Sequence, residues 1–216
     1  MSAERPRRLL AVLASLPVVA ALLVSASPAQ AVLPETVTVH DSRTSDPVVD
    51  ISEVEIEASW YWDSEQTVYV RVPHGFRPGH RLTVWFDLDG DSTPDGHYDL
   101  QMKPPKKRGS KHMVLAQEFR RGGGWTLGGT KARCSDGEGF SPAVAEDLIG
   151  GRDISLAMDL WSCLGVPSPG GASSGSWRVA VRVAKGSHAD MAPNGRRWSK
   201  PVAGWGPCDP SGGSCG

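Results

Sequence analysis

The sequence predicts an all-β protein, a single antiparallel β-sandwich of seven to nine strands. Three observations carry that expectation. Valines and other apolar residues recur at every second position in runs of five to nine residues, the period of a half-buried strand. The 25 glycines and 17 prolines punctuate these runs with turn chemistry. Almost no stretch carries the 3.6-residue period of an amphipathic helix. Short strands of this kind, each with one apolar face, bury that face by packing two sheets together.

Residues 1–31 read as an export signal. Arg5, Arg7 and Arg8 precede an apolar run over 9–24, and Ala29-Gln30-Ala31 supplies the small-residue cleavage box. Pro17 interrupts the run, which falls short of the roughly 20 apolar residues of a bilayer span. Cleavage after Ala31 is therefore expected, leaving no membrane span in a secreted, extracellular product. It lowers the basic residues from 23 to 20 and the acidic ones from 24 to 23, a net of −3. Such a balance argues against a nucleic-acid partner.

Residues 32–47 read as an N-terminal arm, with an edge strand in Thr36-Val37-Thr38-Val39-His40 and a turn before Pro47. The sandwich is expected over 48–206. Val54, Ile56 and Ala58 share one face of its first strand and Glu53, Glu55 and Glu57 the other. Val68, Val70 and Val72 alternate next, then Leu82, Val84, Phe86 and Leu88. Further strands are expected over 96–102, 112–120 and 125–133. Ser141-Pro142 reads as the start of a helical turn that runs to Leu148. The alternation of Ile154, Leu156, Met158 and Leu160, then of Trp177, Val179, Val181 and Val183, closes the strand set. Trp85 and Trp177 fall within strands and are assigned to packing. From Lys185 onward the pattern fades. No internal repeat is present.

Between two of these strands lies Asp87-Leu88-Asp89-Gly90-Asp91-Ser92-Thr93-Pro94-Asp95. Four carboxylates in nine residues repel one another unless they point into water or share a cation. Their spacing, with Gly90 for a tight turn, suits the hard oxygen ligands that Ca²⁺ takes. The segment resembles the calcium loop of integrin-type FG-GAP repeats, D-x-[DN]-G-D-G-x-x-D. The resemblance implies one Ca²⁺ bound by the side chains of Asp87, Asp89, Asp91 and Asp95 and the carbonyl of Thr93. Ser92 departs from the family's glycine, and a positive φ there would carry a cost. FG-GAP loops recur in every blade of a propeller. This chain has one, so the resemblance extends to the ion site and not to the propeller.

The order of pieces looks like actinobacterial secreted β-sandwich domains of undefined function. It rests on Asp50-Ile51, the aspartate loop, Trp161-Ser162-Cys163-Leu164-Gly165 and Asp190-Met191-Ala192-Pro193. Sandwiches of this kind are similar to DOMON-like domains and carbohydrate-binding modules, a likeness of fold rather than of function.

All four cysteines follow the signal: Cys134, Cys163, Cys208 and Cys215. An even number in an exported protein reads as two disulfides. Of the three pairings that can be drawn, Cys134–Cys163 and Cys208–Cys215 are favoured. The second would close residues 207–216 as a tail. No C-x-x-C or H-x-x-x-H spacing supports zinc.

Gly171-Ala172-Ser173-Ser174-Gly175 matches G-x-S-x-G, but a nucleophile elbow needs a strand before it and a helix after it. Here Pro167-Ser168-Pro169-Gly170 precedes and a strand follows, so the match is assigned to chance. Lys106, Lys107 and Arg108 mark a basic connector suited to an anionic wall polymer or surface. Trp60, Trp62 and Trp125 fall near strand ends, where indoles can stack on sugars. The sequence is thus read as a secreted, non-catalytic, calcium-stabilised binding or accessory domain, its ligand a cell-wall component, a glycan or a protein. The alternatives are a secreted hydrolase with a loop-built site and a protease inhibitor or companion domain.

Overall fold

The computed structural model describes residues 36–42, 46–58, 66–104, 114–132, 151–158, 160–164 and 176–203. In chain order these form β1 (Thr36–His40), β2 (Glu53–Glu57), β3 (Gln66–Arg71), β4 (His80–Asp87), β5 (Gly96–Lys103), β6 (Val114–Arg121), β7 (Thr130–Lys131), β8 (Asp153–Met158), α1 (Leu160–Leu164), β9 (Ser176–Lys185), β10 (His188–Ala192) and β11 (Val202–Ala203). Every pairing is antiparallel. A four-stranded sheet runs β1-β2-β3-β8. A seven-stranded sheet runs β10-β9-β4-β5-β6-β7, with β11 also on β9.

Period-two alternation sets the layers. In β2, Val54 and Ile56 are fully buried while the three glutamates stay half-exposed. Register places Val54 opposite Val70 and Ile56 opposite Val68, and these valines lie opposite Ile154 and Leu156 of β8. The larger sheet answers with Leu82, Val84, Phe86, Tyr98, Leu100, Val179, Val181 and Val183, and both sets belong to one continuous core. Phe86 and Phe119 stack at 5.7 Å and 7° within it. This is the expected sandwich, with the arm's edge strand built in as β1.

Strand number departs from expectation: eleven among the described residues instead of seven to nine. The extra ones are short. Two-residue β11 and five-residue β10 cover one edge of β9; β11 is too short to show a period, and β10 buries the polar Asp190, so no apolar alternation is legible in it. Between them Ser199 continues the ladder, its N–H donating to Val179 O at 2.9 Å and its hydroxyl accepting from Val179 N–H at 3.1 Å. The strand expected over 125–133 shrinks to Thr130–Lys131. Gly122, Gly123, Gly124 and Gly129 hold positive φ there and turn the chain. The strand expected to include Leu160 ends at Met158, and Leu160 begins the single turn α1, its N–H donating to the buried Gln66 Oε1 at 3.0 Å.

Two sequence pieces 139 residues apart meet: Ile51 N–H donates to Asp190 Oδ2 at 2.8 Å. Ile51, out of phase with its strand, is nonetheless fully buried. At the start of β5, Gly96 has no room for a side chain. A Cβ there would lie 2.5 Å from Arg120 O and 2.2 Å from a Leu164 methyl. β4 and β5 are covered on both faces, since Thr83, Trp85, Asp87, His97 and Asp99 point away from the core and are still buried. The sequence stretch 87–95 is the turn between these two most enclosed strands.

Candidate metal centre

The first three aspartates of the β4–β5 turn each organise backbone ahead of them, and the fourth reaches back. Asp87 Oδ1 accepts the Gly90 N–H at 2.8 Å, Asp89 Oδ1 the Asp91 N–H at 3.0 Å, and Asp91 Oδ1 the Thr93 N–H at 2.6 Å. Asp95 Oδ2 accepts the Leu88 N–H at 2.7 Å, closing the turn from its far end. The Asp95 backbone pins the turn to the sheet, its N–H donating to Phe86 O at 2.9 Å and its carbonyl accepting from Gly122 N–H at 2.6 Å. Short acceptor side chains that bond backbone two or three residues on are what make aspartate a turn residue. Gly90 and Ser92 take φ of 80° and 73°. The position where serine replaces glycine does adopt the left-handed conformation, at a cost of about 1–2 kcal/mol for a residue with a Cβ.

This winding brings one carboxylate oxygen each from Asp87, Asp89 and Asp95 within 4.8 Å of one another. Asp87 is fully buried, Asp95 half-buried and Asp89 exposed, so the group opens to solvent on one side. Burial pushes the Asp95 carboxyl up from its ordinary value. The Leu88 N–H opposes the rise, and the charges of Asp89, Asp87 and Asp91 add to it. Such a group could hold a metal ion, and its donors are all carboxylate oxygen. Asp91 stands outside this trio, with its carboxylate on the Thr93 N–H.

One protein cation already reaches the site. Arg178, opposite Asp87 in the β4–β9 register, donates through Nη2 to Asp87 Oδ2 and at 3.4 Å to Ser92 Oγ. Its guanidinium lies 5.8 Å from the centre of the Trp198 ring, and Trp198 Nε1 donates to Ser92 O at 3.1 Å. One guanidinium against four aspartates leaves the turn net negative. Sequence reading missed both residues. Arg178 shows only as an outward position of an alternating strand, and pairing it with Asp87 needs the strand order, which brings together residues 91 apart. Trp198 lies where regular pattern has faded.

No family model, no curated protein and no solved structure matches the chain. Among the other sequence-expected residues, Trp125 is half-buried and packs between Trp85 and Trp198. Cys163 is buried, and no described cysteine is a free thiol. Trp60, Trp62, Lys106, Lys107, Arg108, Cys134, Cys208 and Cys215 lie outside the described residues, as do the export signal, the helical turn after Ser141 and Ser173. Among the described residues, no helix is long and apolar enough to cross a membrane.

Proposed function

We propose that this chain is a secreted, non-catalytic binding or accessory domain, stabilised by one Ca²⁺ in the β4–β5 turn and by the disulfides Cys134–Cys163 and Cys208–Cys215. The observation that carries the reading is the convergence of Asp87, Asp89 and Asp95 oxygens within 4.8 Å, at a turn with one guanidinium as countercharge. Hard oxygen donors on a turn open to solvent on one side suit Ca²⁺, which takes six to eight oxygens in an adaptable geometry. Mg²⁺ demands a tighter octahedral shell and is the poorer fit. Thr93 O and water would complete the shell. The ion would neutralise the carboxylates and fix the turn that joins the two most enclosed strands.

Isothermal titration of chelator-stripped protein with CaCl₂ tests the site. One ion per chain should bind, with Kd on the order of 10⁻⁴–10⁻³ M as in extracellular modules, and Asp89→Ala should remove the heat. An unchanged isotherm in Asp89→Ala would place any ion elsewhere.

A further inference from the structure

The outer face of the larger sheet carries a row of aromatic rings separate from the core. Trp85 of β4 lies 5.7 Å from Trp125, and Trp125 lies 4.7 Å from Trp198, between ring centres. Trp125 and Trp198 are half-buried. At the inner end of the row, His97 of β5 sits 6.4 Å from Trp85. Trp85 is 4% exposed and His97 1%. Among the described residues, neither Trp85 Nε1 nor either ring nitrogen of His97 has a hydrogen-bond partner. Two other indoles do find acceptors: Trp177 Nε1 in the core donates to Ala203 O, and Trp198 Nε1 donates to Ser92 O. Buried polar groups without partners weaken a fold, and three on two adjacent rings call for an explanation.

We propose that this row is a subsite for a neutral sugar ring of a polysaccharide, whose C–H face stacks on Trp125 and Trp198 while its hydroxyls engage Trp85 Nε1 and the His97 ring. The chemistry fits on three counts. Indole faces are apolar and complement the C–H face of a pyranose. The His97 ring nitrogens can donate or accept a hydrogen bond, and a sugar hydroxyl matches either role. The carboxylates of the adjoining turn disfavour an acidic polymer, and Arg178 is already committed to Asp87. The same sheet face supplies a fixed polar border: Asp99 accepts from Arg81 at 2.6 and 2.8 Å, from Gln101 at 3.0 Å and from Thr83 at 3.3 Å.

Trp125 packs against Trp85 and would have to give way for a hydroxyl to reach Trp85 Nε1. It is carried on the glycine-rich segment 122–129, which is tied down at its ends by Gly122 N–H on Asp95 O and Arg120 Nη1 on Gly129 O. This inference rests on the binding-domain reading and names its ligand class and its site.

Titrating ¹⁵N-labelled, Ca²⁺-loaded protein with soluble neutral oligosaccharides (cello-, xylo- and chito-hexaose) tests it, following the indole N–H signals assigned by Trp→Phe variants. The Trp85, Trp125 and Trp198 signals should move while Trp177 stays still. Trp125→Ala and Trp198→Ala should each weaken binding about tenfold. Shifts confined to other indoles, or unchanged affinity in both variants, would overturn this site and leave the binding-domain reading standing. No response to any of these sugars in protein that still binds Ca²⁺ would overturn the neutral-sugar ligand. The wild-type titration reads the site even if a variant fails to fold.

Discussion

Asp190 concentrates several of the fold's constraints in one side chain. It is 5% exposed and accepts the Ile51 N–H across the molecule. Burial raises its carboxyl above the ordinary value, with the Ile51 and Met191 N–H groups opposing and Asp50 adding to the rise. A carboxyl with a raised folded value favours the folded state while protonated. Its contribution is therefore full below the unfolded value of 3.8 and is lost as pH rises through the raised one. Asp190→Asn keeps an acceptor for Ile51 and cannot ionise. Urea unfolding of both proteins at several pH values between 4 and 7 should show the variant gaining on the wild type as pH rises. A constant difference would mean that Asp190 does not titrate in this range. Asp50-Ile51 and Asp190 stood out in the sequence as separate pieces. Their hydrogen bond was not legible, because only the folded chain sets one against the other.

The β4–β5 hairpin and β9 act as one element at the aspartate turn. Spacing alone identified the aspartates, since turn chemistry is local and is written in consecutive residues. The guanidinium on Asp87 was not legible, because a cross-strand partner depends on β9 lying beside β4. This pair predicts a competition. Asp87 is fully buried, and stripping one partner from a buried ion pair costs about 3–5 kcal/mol. Arg178→Met should therefore destabilise the calcium-free protein strongly and the calcium-loaded protein less, because the ion supplies charge that the guanidinium no longer does. The rise in Tm on adding Ca²⁺ should be larger in Arg178→Met than in wild type. Equal rises would show that the ion and Arg178 do not act on the same carboxylate. Short strands fared worst in the sequence. Thr130–Lys131 and Val202–Ala203 are two residues each and owe their existence to the neighbour they pair with.

Across the whole molecule, the two layers follow from period-two valines that meet in one core. That pattern is strong because a one-residue slip would turn each apolar face to solvent. The outer face of the larger sheet was harder to read. Thr83, Asp87, His97 and Asp99 are polar and buried, so polarity gave no sign of their enclosure. A divalent ion at the β4–β5 turn is proposed to stabilise this sandwich. A ligand bound by the folded state alone adds about 2.7 kcal/mol at a hundredfold excess over Kd, or roughly 5–10 °C in Tm for a chain of this size. The most direct test is the melting curve of the protein and of Asp89→Ala in chelator and in millimolar Ca²⁺. Ca²⁺ should raise the wild-type Tm by about that amount, chelator should reverse the rise, and Asp89→Ala should not respond. Superimposable wild-type curves in chelator and in millimolar Ca²⁺ would contradict the proposal.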